Sequence, residues 1–182
     1  MVAVRPLHRP CWRLRAQVPV SPLSRLAEPD DLDRLRDMIR RTAVAPMGSR
    51  FSDGSFRPVY AAFEQRTCLA EVVHHWSRTF LAAGCPAGMP LRTLMLSLGG
   101  DGERFLDVRT GRPDLHDPDA YAVSQRFGLE AYLAGEDGIL YRSVRDPEGT
   151  CVAVIRPAAA GPLQEHGELR LLWLGDRFEA AS

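Results

Sequence analysis

The sequence predicts a mixed α/β or α+β domain with helices and strands interspersed, and three observations carry that expectation. Helical and strand patterns are interspersed along the chain instead of falling into separate blocks. The length, 182 residues, suits one domain that can bury its own core. The composition, 45% hydrophobic and 25% charged, is that of an ordinary globule. The expected organisation is a Pro- and Arg-rich extension over 1–27 packed along an edge, a main domain over 28–176, and a loose tail over 177–182.

The elements follow in order. Asp30, after Pro29, caps a helix that runs to about Arg41, with Asp31 and Asp33 in its first turn and Arg40 and Arg41 in its last. Leu32, Leu35, Met38 and Ile39 give it one apolar face. Residues 45–56 are rich in turn formers and read as a loop, and Pro58–Ala62 as a short strand. Thr67 caps a long helix to about Ala83, with Leu69, Val72, Val73, Trp76 and Phe80 on one stripe and Gly84 and Pro86 ending it. Leu91–Leu98 is a strand followed by a Gly-Asp turn. A loop over Gly111–Pro118 leads into a helix over roughly Asp119–Ala134. Ile139–Ser143, Cys151–Ile155 and Leu169–Leu174 complete the strands.

Composition excludes several functions. Arg and Lys together balance Asp and Glu at 23 each, so the chain lacks the basic excess of a dedicated nucleic-acid binder. It contains neither Lys nor Asn, which reads as base-composition bias that incidentally supplies fork-shaped Arg donors. Cys11, Cys68, Cys85 and Cys151 are scattered and contain no C-x-x-C pair, so neither a zinc knuckle nor a thioredoxin-like site is expected. His74 and His75 are adjacent and therefore about 100° apart on a helix, a poor chelating arrangement; no metal is expected. Residues 1–20 are broken by arginines and lack the apolar run of a signal peptide, and no stretch approaches the ~20 residues of a membrane span. A cytoplasmic protein with no membrane partner is the expectation.

Taken singly, the polar candidates are modest. Arg50 lies in a loop able to bring a guanidinium to a phosphate, although the local sequence alone reads it as a solvated arginine. Tyr60 sits in an apolar strand as an ordinary buried aromatic would. Glu71 falls roughly opposite Leu69, Val73 and Trp76 on the helical wheel, which predicts exposure near the start of its helix. Ser143 closes a strand, where most serines satisfy a turn. Gly99-Gly-Asp-Gly102 lacks the spacing of a phosphate loop and reads as a turn, and His116 fits no triad order.

Together these residues resemble a known pattern. Gly48-Ser-Arg-Phe-Ser-Asp-Gly-Ser-Phe-Arg-Pro-Val-Tyr-Ala-Ala62 and Leu69-Ala-Glu-Val72 resemble the first half of the RES domain, a family named for an Arg, a Glu and a Ser. Ser124-Gln125, Asp137-Gly-Ile-Leu-Tyr-Arg-Ser-Val144 and Cys151-Val-Ala-Val-Ile-Arg-Pro157 resemble the second half, so the likeness runs from about Trp12 to Leu174. It places the family's Arg at Arg50, its Tyr at Tyr60, its Glu at Glu71 and its Ser at Ser143, with an N-terminal Arg at Arg13 within Trp12-Arg-Leu14. Two positions depart from the pattern: Ser49 stands for the usual Gly, and Ser52 for the usual Asn.

The resemblance implies a fold like that of ADP-ribosyltransferases and cleavage of NAD+ at the nicotinamide–ribose bond. NAD+ is then a substrate, phosphate or water the acceptor, and no cofactor is required. Arg50, Tyr60, Glu71 and Ser143 would form the catalytic set, and Arg13, Arg50 and Tyr60 would bind the dinucleotide. The implied partner is an Xre-type helix-turn-helix antitoxin covering the active site, with DNA binding left to that partner; a homodimer is a further expectation. The alternatives are a protein ADP-ribosyltransferase and a non-catalytic domain that binds a nucleotide or partner.

Overall fold

The computed structural model describes residues 2–7, 9–17, 48–99 and 102–181. The helix expected over Pro29–Arg41 lies outside them, as do Gly100 and Asp101 of the expected turn. Among the described residues are nine strands and two α-helices: β1 (Ala3–Leu7), β2 (Cys11–Gln17), β3 (Val59–Ala62), α1 (Gln65–Ala82), β4 (Pro90–Leu98), β5 (Gly102–Asp107), α2 (Ala122–Leu133), β6 (Gly138–Arg142), β7 (Thr150–Val154), β8 (Leu163–Trp173) and β9 (Phe178–Ala180). The fold class is α+β with mixed pairing, since β5 and β6 run parallel while β1–β5, β2–β3, β3–β7, β6–β7 and β8–β9 are antiparallel.

The chain forms two compact units, one of residues 1–13, 46–71 and 96–165, the other of residues 14–45, 72–95 and 166–182. In the first unit the strand order is β1-β5-β6-β7-β3-β2. Its central strands read Gly-Ile-Leu-Tyr and Cys-Val-Ala-Val and are buried almost throughout, which is why their sequences are continuous apolar runs without alternation. Leu7, Leu98, Phe105, Leu140, Val152 and Val154 pack into one core. Each such side chain stabilises the fold by roughly 1.5–3 kcal/mol when taken from water. This core carries the neighbouring ends of β3, β6 and β7: Tyr60 stands opposite Ala153, and Tyr141 opposite Cys151.

In the second unit β4, β8 and β9 are neighbours in that order. Phe80, Trp173 and Phe178 pack with ring centroids 4.9–5.6 Å apart. The Trp173 indole N–H donates to the Cys85 carbonyl at 3.0 Å, so burying this ring leaves no polar atom unmet. Gly84, at φ 62°, turns the chain out of α1: Cys85 N bonds Phe80 O and Gly84 N bonds Leu81 O, a left-handed helix stop that a Cβ would strain.

Several expectations are corrected. The opening residues, expected to pack along an edge, include two hydrogen-bonded strands that the sequence reading did not assign: β1 pairs with β5 and β2 with β3. Pro6 is tolerated because β1 is an edge strand whose register shifts between Arg5 and Leu7. β5 was not expected, and β8 begins six residues before Leu169. The closing residues are not a loose tail, since Phe178–Ala180 pairs with β8 and buries Phe178. Helix α1 starts at Gln65, with the Glu64 carbonyl accepting from Cys68 N, so Thr67 lies inside its first turn and does not cap it. The fully buried Thr67 hydroxyl instead donates to Asp146 Oδ2 at 2.6 Å. Helix α2 starts at Ala122 because the Asp117 carboxylate takes the N–H groups of Asp119 and Ala120 in a preceding turn. No helix among the described residues is long and apolar enough to cross a membrane.

Candidate active site

Arg50, Tyr60, Glu71 and Ser143 all lie in the first unit, on two clusters of hydrogen bonds that meet around Tyr141. The first cluster is the loop that carries Arg50. Ser49 and Ser52 bond each other's backbone, with Ser49 N to Ser52 O at 2.6 Å, making a tight turn around Arg50 and Phe51. The Ser52 hydroxyl donates to Phe56 O at 2.5 Å and accepts from Gly54 N at 3.1 Å. The Ser49 hydroxyl lies 2.8 Å from the Tyr60 hydroxyl. The two serines that depart from the family pattern are therefore both used to hold the loop.

Arg50 is buried, contrary to its local reading as a solvated side chain. Its Nη1 donates to the carbonyls of Leu115 and Asp117 at 3.2 and 2.8 Å, and its guanidinium lies 4.8 Å from the Tyr121 ring centroid. Two neutral carbonyls orient the cation without cancelling its charge. Among the described residues only Nη1 is bonded, which leaves Nε and Nη2 for an anionic group. Tyr60 accepts from Phe51 N at 3.0 Å, so its hydroxyl ties strand β3 to the residue after Arg50. Burial pushes its phenol up to about 12, which keeps it protonated at neutral pH.

Helix α2 abuts the same loop. A Cβ at Gly128 would overlap the Phe51 carbonyl, so only glycine allows this approach. One turn earlier, Gln125 Nε2 donates to Ser49 O at 3.1 Å.

The second cluster centres on Glu71. The helical wheel places this residue in solvent; in the structure it is half-buried, because β6 and β7 end beside that face of α1. Since α1 begins at Gln65, Glu71 lies beyond the first turn, so the helix dipole is not what it serves. Its Oε1 accepts the Ser143 hydroxyl at 2.6 Å and lies 3.9 Å from the Cys151 sulfur. The buried Ser143 Oγ also accepts from Arg145 N at 3.0 Å and Asp146 N at 2.9 Å. Its one proton and both lone pairs are thus committed. Such a hydroxyl orients the carboxylate; with both lone pairs taken by backbone N–H groups it has none to offer as a nucleophile.

Tyr141 escaped the sequence reading. It is buried, packs edge-on against Phe51 at 5.0 Å, and its phenol is driven well above its ordinary range, first by burial and then by the charges of Cys151, Tyr60 and Glu71. The nearby Arg50 cation acts in the opposite direction. The signal was present: Tyr141 is two residues before Ser143, which directly follows β6, and period two carried one residue past the strand puts both on one face. His116 was also passed over. Its Nδ1 lies 2.9 Å from Arg112 O and its Nε2 accepts from Arg142 N at 3.1 Å. It ties the loop supplying the two Arg50 acceptors to the strand leading into Ser143. Arg13 lies half-buried in β2, next to Trp12, which pairs with Ala62 of β3. Among the described residues no group of His, Cys, Asp and Glu is arranged to hold a metal ion.

A mixed-sheet α+β fold that sets a buried Arg and a Ser-held Glu around one strand defines the class. The RES domain family profile matches residues 10–173, and the chain belongs to that family. The fold is similar to that of a chain in the crystal structure of the M. tuberculosis MbcT–MbcA toxin–antitoxin complex, with a TM-score of 0.58, 16% identity, and coverage of 93% of this chain and 87% of that one. No curated protein sequence matches.

Proposed function

We propose that this protein is an NAD+-degrading toxin that cleaves the nicotinamide–ribose bond, with phosphate or water as acceptor. The observation that carries the reading is the 2.6 Å bond fixing the Glu71 carboxylate to Ser143, in a cluster that meets the one holding the buried Arg50 around Tyr141. The bond from ribose C1′ to the pyridinium nitrogen breaks and its electron pair leaves with neutral nicotinamide. The ribose then carries oxocarbenium-like positive charge. Glu71, held by Ser143, stabilises that charge. The free N–H groups of Arg50 bind the diphosphate or the incoming phosphate, and Arg13 assists from β2. Tyr60 lines the site and fixes the Arg50 loop. An oxygen of phosphate, or of water that gives up a proton to solvent, closes the new bond at C1′.

The proposed restraint is a cognate antitoxin of the Xre helix-turn-helix type that covers the site. Support comes from membership of the RES family and from the neighbour's occurrence in a toxin–antitoxin complex. The intracellular substrate makes the cytoplasm the place of action.

The test incubates purified protein with NAD+, with and without phosphate, and follows nicotinamide and ADP-ribose species. Turnover that requires phosphate identifies phosphorolysis, and turnover without it identifies hydrolysis. Absence of nicotinamide release in both buffers, from folded protein, overturns the proposal.

A further inference from the structure

A second polar site lies elsewhere in the same unit. A cavity of about 510 Å³ is lined by Arg5, Asp107, Arg109, Thr110, Arg142 and the turn over residues 147–150. It is distinct from the Glu71 cluster by strand geometry, because Arg142 stands between Tyr141 and Ser143 and points to the opposite face of β6.

The charges in it are pre-arranged. Asp107 Oδ1 accepts from Arg109 N and Nε at 3.2 and 2.9 Å, and its Oδ2 accepts from Arg109 Nη2 at 2.7 Å and forms an ion pair with Arg5 Nε at 2.8 Å. One saturated carboxylate therefore holds two guanidiniums, whose remaining N–H groups are still available. Arg142 is exposed and, among the described residues, has no ion-pair partner. The other acid lining the cavity, Glu148, is exposed and pairs with Arg66. Three fork-shaped cations against one satisfied carboxylate, with Thr110 and Thr150 also lining the cavity, match a compact, multiply charged oxyanion. The volume exceeds that of a single ion and lies in the range of small-molecule sites.

We propose that this cavity binds a phosphate group, as the free ion or as the end of a phosphomonoester, with Arg142 as its principal cation and Arg5 and Arg109 as oriented donors. The occupant touches the outer side of the turn whose inner side holds Ser143, through the bond from Ser143 N to Gly149 O.

Calorimetric titration of the full chain with inorganic phosphate and, separately, with adenosine monophosphate tests this. At least one probe binds the parent protein. Arg142→Ala weakens that binding by about tenfold or more, the scale of a lost charge-assisted contact. Arg5→Ala weakens it in the same direction, so the result does not rest on one variant. Arg50→Ala, in the other cluster, leaves the Arg142-dependent component intact. Phosphate binding alone identifies the free ion, and binding of the nucleotide only identifies the phosphomonoester. If neither probe binds at millimolar concentration, or if both arginine variants bind as the parent does, the site does not exist.

Discussion

In the proposed reaction Glu71 carries the charge-stabilising role, and its surroundings allow that role to be tested apart from its structural one. Replacing it by Gln keeps the volume and still accepts the Ser143 hydroxyl, so the thermal midpoint should stay within a few degrees while nicotinamide release falls by about 10²-fold or more. A Glu71→Gln variant that remains as active or as growth-inhibiting as its parent would remove Glu71 from the mechanism. Ser143→Ala is a different kind of change. It strips Glu71 of its donor and leaves Arg145 N and Asp146 N without an acceptor, so it should lower stability by about 1–3 kcal/mol and reduce kcat more than it raises KM. Urea melts and steady-state kinetics on the same preparation separate the two effects; an unchanged kcat would show that Glu71 holds its orientation without the serine.

At the scale of elements, the site depends on how closely α2 approaches the Arg50 loop. Gly128→Ala forces a methyl group against the Phe51 carbonyl, so the loop must shift or the helix withdraw. The expected cost is about 1–3 kcal/mol, with a loss of NAD+ turnover out of proportion to it, because Arg50 is displaced from its two carbonyl acceptors. Parent-like turnover in Gly128→Ala would mean the loop has slack that the packing does not suggest. The β6–β7 turn is anchored by the fully buried Thr67, whose hydroxyl donates to Asp146. Thr67→Val should loosen that turn and raise hydrogen exchange at Arg145 and Asp146, and unchanged exchange at those amides would refute the anchoring.

For the molecule as a whole, the four cysteines are buried thiols, and burial raises the Cys11 thiol from 9.0 to about 12 and the Cys85 thiol to about 11. With the Tyr60 phenol raised from 10.0 to about 12, the folded chain keeps protons that the unfolded chain has already lost above pH 9.0. Stability is therefore full below about pH 9 and falls as pH rises toward about 12, and native thiols should alkylate slowly at neutral pH. Denaturation midpoints that stay flat from pH 8 to about 11, or rapid labelling of all four thiols in the native state, would contradict this burial.

The sequence by itself determined the elements whose patterning is strong: the buried run of β6 and β7, the stripe of α1 with its Gly84 stop, and the ordered Arg50, Tyr60, Glu71 and Ser143 motifs that marked the family. Elements with weak local signals were settled only by pairing. Residues 163–168 of β8 are all exposed and show no alternation, and β1 contains a proline; each strand is defined by its hydrogen-bonded neighbours, β4 and β9 for β8 and β5 for β1. The same holds at the site. Period 3.6 places Glu71 in solvent and nothing in its neighbourhood says otherwise, since the serine that holds it is 72 residues away along the chain. Local periodicity reports which face of an element is apolar. It cannot report which polar residue another strand will cover, because that depends on contacts between segments distant in sequence.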